Sequence, residues 1–266
     1  MGYKALAQKR VDEARMPEDS NEQPIQIPVG SVSLSGDLTV PDRAQGAVLF
    51  AHGSGSSRHS PRNRYVAKIL QEADLGTLLF DLLTEPEESI DEQTRHLRFD
   101  IGLLADRLVG ATDWMLQRFS VLNDGDADIP YLGYFGASTG AAAALVAAAK
   151  KADIVRAVVS RGGRPDLAGE YLSQVKAPTL LLVGGNDKPV IGLNQEAYDK
   201  LKLIKEDEKR LTIVPGATHL FEEPGKLEQV AQLAAEWFSY FLKRNSRKEE
   251  ENPTTRGERI GKNYDL

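Results

Sequence analysis

The chain has 266 residues, of which 41% are hydrophobic and 27% charged, enough apolar material to bury the core of one α/β domain. Its 33 basic and 39 acidic residues leave a net charge of −6, a field that repels phosphate backbones and excludes nucleic acid as an expected partner. With no cysteine and only His52, His59, His96 and His219 as histidines, disulfides, thiolate chemistry and ligand-spaced metal sites are excluded, and no metal or other cofactor is expected.

Residues 1–24 are charged throughout and read as an extension, with a short helix expected over 4–16. They contain no apolar h-region, and no stretch of the chain is apolar enough to span a bilayer, so a cytoplasmic protein with no membrane partner is expected. The opening Met1-Gly2 is no myristoylation signal, because Leu6 stands where a Ser or Thr is required. Alternation close to period two at Gly30–Val40 predicts an antiparallel pair. Short apolar runs then follow at Ala47–Ala51, Thr77–Leu82, Tyr131–Phe135, Val155–Ser160, Thr179–Val183 and Arg210–Val214. Continuous runs of this kind predict strands covered on both faces. Between them lie helical stripes. Leu97, Ile101, Leu104, Leu108, Ala111 and Met115 draw one, residues Thr139 to Ala149 make an alanine-rich second, and Leu227 to Phe241 a third. Strand and helix in alternation predict an α/β fold with a doubly wound, mostly parallel sheet and helices on both faces. Residues 25–245 are read as one domain and 246–266 as a flexible polar tail.

The chemistry begins at Gly136-Ala137-Ser138-Thr139-Gly140, where a hydrophobic strand runs into a sharp turn and then a helix. This is G-x-S-x-G in the setting its mechanics demand: the turn strains the serine and lifts its oxygen above the sheet at a helix N-terminus. A serine hydroxyl needs a base to remove its proton, and a carboxylate to orient that base. Only His219 follows Ser138 in the chain, so His219 is the expected general base. Asp187, past Gly184-Gly185 at the carboxyl end of a strand, is the expected acid. Asp166 competes, but Leu167 and Ala168 after it suggest a helix cap instead. The oxyanion of a tetrahedral intermediate needs two N–H donors. Thr139 and Ser54, the latter in the glycine-rich loop His52-Gly53-Ser54-Gly55, are the candidates. His52 ends a buried strand ahead of the serine and is expected to be a hydrogen-bonded structural residue.

The stretches AHGSGSSRHSPRN, GYFGASTGAAAAL, SRGGRPDLAG, APTLLLVGGND and VPGATHLFEEPGKLE cover roughly residues 45 to 240. Over them the chain resembles the α/β-hydrolase superfamily, and within it the dienelactone hydrolase-like branch. The resemblance implies an α/β-hydrolase fold and a triad of Ser138, Asp187 and His219. Some relatives of the branch resemble hydrolase domains fused to phosphoribosyltransferases, and the length here is expected to leave no room for a second domain. One position departs from the pattern: the enzymes that name the branch use a cysteine nucleophile, where this chain has Ser138. A dienelactone substrate is therefore not implied, and a general carboxylic ester is the expected small-molecule substrate.

Only residues 161–176 separate the strand ending at Ser160 from the next, room for one short helix and no large cap domain. Small or medium acyl esters are expected over long lipid chains. Arg161 and Arg164, at the end of that strand, are candidates for binding an anionic substrate group, against a structural pairing with Asp166 or loop carbonyls. The basic stretch Arg58, His59, Arg62 and Arg64 is expected to cap and solvate the first helix. A ligand- or partner-binding protein that hydrolyses nothing is the alternative, since fold alone licenses no activity. A homo-oligomer is left open.

Overall fold

The computed structural model describes residues 22–122 and 131–242; the helix expected over 4–16 and the tail at 246–266 lie outside them. Strands β1 (Glu22–Val29) and β2 (Val32–Thr39) form an antiparallel hairpin. Strand β2 continues antiparallel onto β4 (Gly76–Phe80). From there β3 (Gly46–Ala51), β5 (Tyr131–Ala137), β6 (Val155–Arg161), β7 (Thr179–Gly184) and β8 (Lys209–Val214) extend the sheet in parallel. The sheet order is β1-β2-β4-β3-β5-β6-β7-β8. The antiparallel pair therefore differs from the sequence expectation. Val32–Thr39 is one of its strands, but the partner lies upstream and begins at Glu22, inside the span read as an extension. Pro24 and Pro28 interrupt the apolar pattern there, and this edge position tolerates their missing N–H groups.

Alternation along each strand divides the core between the two faces. Ala47, Leu49 and Ala51 of β3 point to one side with Leu132 and Tyr134 of β5. Val48 and Phe50 point to the other with Phe135. Helices α1 (Pro61–Glu72) and α6 (Lys226–Leu242) cover the second face, while α3 (Ile101–Leu122) and α4 (Thr139–Lys150) cover the first. Ala141 to Ala148 of α4 are all buried, because methyl-sized side chains let this helix lie close on the sheet. Helix α5 (Lys188–Lys200) adds Ala197 to the first face.

One helix escaped the hydrophobic pattern. Between β4 and α3 the chain forms α2 (Glu85–Thr94) and a 3-10 turn at Leu97–Phe99. Leu97 thus belongs to the turn, and α3 begins only at Ile101. Helix α2 is polar and rests on its start signal. Thr84 accepts the Glu87 N–H, the Glu87 carboxylate accepts the Thr84 N–H, and three glutamates face the helix N-terminus. It ends at Arg95, in the left-handed conformation. The short segment after β6 makes two 3-10 turns within Pro165–Gln174, kinked at Gly169.

A buried hydrogen-bond chain ties α3 to the sheet. The Thr112 hydroxyl donates to the Leu108 carbonyl at 2.8 Å, and the hydroxyls of Tyr134 and Thr112 lie 2.6 Å apart. Since Thr112 has spent its proton, Tyr134 is the donor between the two. Burial keeps the phenol neutral, its pKa well above the ordinary value, and outweighs the opposing effect of the bond to Thr112. Replacing Tyr134 with Phe removes that donor and leaves a Thr112 lone pair unpaired. We expect a loss of about 1 kcal/mol in unfolding free energy, read from urea denaturation, with the slope of the transition unchanged.

Candidate active site

The turn between β5 and α4 holds Ser138 at φ +50°, ψ −121°, a region that a residue with a side chain rarely occupies. The neighbours explain how it is tolerated. A Cβ on Gly140 would stand 2.1 Å from the Ala51 carbonyl oxygen, and one on Gly136 would stand 2.4 Å from the Ala141 Cα. Neither position accepts any side chain. The Ser138 N–H donates to the Arg161 carbonyl at 3.2 Å, and the Ser138 carbonyl accepts from Ala141 and Arg164 N–H groups. The serine stands at the N-terminal end of α4 and supplies no cap to it.

Two further loops converge beside this turn. Asp187 is the N-cap residue of α5, yet its side chain caps nothing. Its Oδ2 instead lies 2.6 Å from Nδ1 of His219. The loops that carry the two residues are bound together: Asn186 donates its N–H to the Ala217 carbonyl and its side-chain amide to that of Gly216. The Thr218 N–H donates to the Glu223 carboxylate at 3.1 Å, which holds the turn from its outer side. His219 packs next to Gly162, the residue after Arg161 that ends β6. Gly162 follows Arg161, whose carbonyl accepts the Ser138 N–H, so His219 neighbours the strand end paired with the serine; no hydrogen bond joins His219 to Ser138 among the described residues.

Asp166 is engaged elsewhere. Its carboxylate takes both arms of the Arg164 guanidinium, at 2.9 and 2.7 Å. Arg164 is thereby the structural member of its pair, and neither residue reaches His219 by a hydrogen bond. Arg161 differs. Only 7% exposed, it lies over the Phe135 ring and leaves Nη1 without a hydrogen-bond partner among the described residues. Burial and the nearby Arg62 cation bring its pKa down to about 10.

Of the two oxyanion candidates, Thr139 opens α4 directly after the serine. The Ser54 N–H donates to the Thr139 hydroxyl at 3.0 Å, so in this conformation it is engaged and not open to an incoming oxygen. The basic stretch also does more than cap and solvate α1. Ser60 is the cap, while Arg58 binds Asp81 and approaches Asp37 at 3.5 Å, and Arg62 binds Glu222 beyond the histidine loop. A polar cleft of about 570 Å³ opens along this stretch, walled by His52, Ser56, His59, Arg62, Asp81 and Glu88 among others. Ser138 does not line it; Gly55, Ser56 and Ser57 of the candidate oxyanion loop do. Among the described residues no cluster of three His, Asp or Glu side chains could hold a metal ion, and no helix is long and apolar enough to cross a membrane.

A mostly parallel sheet, a strained serine between strand and helix, and an acid and a histidine on later strand ends define the α/β-hydrolase class of folds. The chain belongs to the dienelactone hydrolase family: that family's model matches residues 113–246. A dienelactone hydrolase structure from Anabaena variabilis is 60% identical, with a TM-score of 0.77, covering 84% of this chain and 98% of that one. Two Mycobacterium tuberculosis proteins, provisionally named phosphoribosyl transferases, are 56% identical over 228 residues, or 86% of this chain. The chain spans about half the length of these curated relatives, 48%. A Pyrococcus furiosus esterase shares the fold at 17% identity and a TM-score of 0.65, over 83% of this chain and 91% of that one.

His52 bridges two strand ends. Its Nδ1 faces the Gly53 carbonyl at 3.0 Å, and its Nε2 accepts the Leu82 N–H at 3.1 Å. The acceptor role requires a neutral ring. Burial lowers its pKa from the ordinary 6.5, so the unfolded chain takes up the proton before the folded one does. The contribution is therefore full above about 6.5 and declines as pH falls below it. Urea midpoints measured from pH 7 to pH 5 should fall in the wild type and fall less steeply in His52→Gln.

Proposed function

We propose that the chain is a serine hydrolase of small or medium carboxylic esters, with Ser138 as nucleophile, His219 as general base and Asp187 as the acid that orients it. The observation that carries this reading is the 2.6 Å contact between His219 Nδ1 and Asp187 Oδ2, made by loops that meet beside a serine held at positive φ. An Asp that leaves its own helix uncapped and binds a histidine supports the acid assignment. With Nδ1–H directed at Asp187, Nε2 carries the lone pair that takes the Ser138 proton. The serine oxygen attacks the ester carbonyl, and negative charge develops at the start of α4, where the Thr139 N–H and the helix dipole favour it. The Ser54 N–H becomes the second donor once it leaves the Thr139 hydroxyl. His219 then protonates the leaving alcohol, and a water activated by the same nitrogen releases the acyl group.

The reading takes further support from membership of the dienelactone hydrolase family and from esterases with the same fold. The segment at 161–176 has no room for a large cap, which suits small acyl groups. Arg161, whose Nη1 has no hydrogen-bond partner among the described residues, is the arginine suited to an anionic substrate group; Arg164 is committed to Asp166. A small-molecule ester is the partner this implies, in a cytoplasmic protein.

Ser138→Ala should keep the fold and lower turnover of a chromogenic acetyl ester by several orders of magnitude; unchanged turnover in the purified variant would overturn the mechanism.

The acid is tested by contrast. Asp187→Asn can stabilise the wrong histidine tautomer, and a loss of about 10⁴-fold in kcat is expected. Asp166→Asn should keep its activity and lose about 1 kcal/mol of stability or less, as one member of a partly exposed ion pair. The opposite outcome would route the triad through Asp166.

A further inference from the structure

The segment between β4 and α3 contains a carboxylate with no solvent contact. Asp91, in the last turn of α2, is 0% exposed. Arg98 meets both carboxylate oxygens and shares the backbone carbonyl with the Arg95 N–H. The Arg98 N–H donates to Asp91 Oδ1 at 3.1 Å, its Nε donates to Oδ2, and its Nη2 donates to the Asp91 backbone carbonyl at 3.2 Å. Burial alone would raise the carboxyl pKa, but these donors hold it below the ordinary value, so Asp91 stays ionised. The left-handed turn at Arg95 brings the two residues together. Residues 91–98 thus form a closed, charge-neutral loop that cannot shift without exposing a buried ion.

This loop bears on the candidate oxyanion loop through Arg98. The Ser54 hydroxyl donates to the Arg98 carbonyl at 3.4 Å. A Cβ on Gly55, which sits at φ +65°, would lie 3.2 Å from Arg98 Nη1. The guanidinium therefore rests against the bare backbone of the residue after Ser54. The two hydroxyls of Ser54 and Thr139 are 3.0 Å apart, and the Ser54 N–H lies 3.0 Å from the Thr139 oxygen. A carbonyl can only accept, and that sets every proton in the series. Ser54 O–H donates to the Arg98 carbonyl, Thr139 O–H donates to the Ser54 oxygen, and the Ser54 N–H donates to the Thr139 oxygen.

We propose that Arg98, locked by Asp91, is a positioning residue for ester hydrolysis: through Ser54 and Gly55 it sets where the second oxyanion donor stands relative to Thr139. The proposal rests on Ser138 being the nucleophile. Arg98 touches neither substrate nor reacting atoms. It fixes the resting length of the Ser54–Thr139 link, hence the distance the Ser54 N–H must travel to meet a developing oxyanion. A donor misplaced by about an ångström costs rate and leaves ground-state binding almost untouched.

The test uses the purified full chain with a chromogenic acetyl ester. Arg98→Lys and Ser54→Ala should each lower kcat by about 10- to 100-fold, with KM changed less than threefold. The double variant should be no slower than the worse single one, because both act on the same link. Ser54→Ala leaves the Asp91–Arg98 pair intact, so it gives an answer even if Arg98→Lys fails to fold. Full activity in Ser54→Ala, losses that multiply in the double variant, or an effect on KM alone would overturn the positioning role. Failure of the hydrolase reading is separable, since it appears as a Ser138→Ala variant that still turns over.

Discussion

The constraint on which the site depends is the backbone of Ser138. A serine at φ +50° carries strain of about 1–3 kcal/mol, and it persists only because the surroundings leave no alternative. Gly136 and Gly140 are empty of side chains where Ala141 and Ala51 press closest. The parallel pairing of β5 with β3 and β6 grips the residues just before the turn, and α4 takes over directly after it. A serine lifted in this way is out of reach of its own helix's capping needs and in reach of whatever arrives over the sheet edge. The alanine-rich interior of α4 serves the same end, since a bulkier helix could not approach β3 closely enough to pin Gly140 against Ala51.

What arrives comes from the other end of the sheet. Asp187 and His219 stand on the loops after β7 and β8, and cross-loop bonds from Asn186 hold the two loops at a fixed spacing. From the opposite flank come the β3–α1 loop, with Ser54, and behind it the α2 segment with Arg98. The site is thus assembled from two flanks around one strained turn. Each flank is internally locked, one by the Asp187–His219 contact and the other by Asp91 and Arg98. Each of these locks pairs a carboxylate with a cationic or imidazole partner at the margin of a core that is mostly apolar on both faces.

Much of this could be read from the chain because the chemistry constrains residue type and order. A serine between glycines after an apolar run, a single histidine downstream and an aspartate after a glycine pair leave few assignments open. The parallel strands were legible for a similar reason, since burial on both faces writes a continuous apolar run. The features that escaped have no such trace. Helix α2 has one side chain in the interior, and that one, Asp91, is a carboxylate; only its start signals, the Thr84–Glu87 capping box, Pro86 and the first-turn glutamates, marked it. Strand β1 is half polar and carries two prolines. The partner of the Ser54 N–H depends on where the Thr139 side chain turns, a choice made by tertiary packing. The pairing of Asp91 with Arg98 likewise rests on a left-handed Arg95, which no periodicity announces.

The sheet order places β8 at an edge among the described strands, paired with β7 alone. Its middle residues are partly exposed, Ile213 at 38%, whereas β5 is buried on both faces. Proteins open locally with free energies that run from nearly zero at their margins to the full global value in the core. On that scale Ser138 and His219 stand at different depths of the sheet. Ser138 is held by the innermost part of the sheet, and the His219 loop follows the strand at its margin. On that principle the Asp187–His219 side of the candidate site, resting on the sheet's margin, opens at a lower free energy than the turn that carries Ser138.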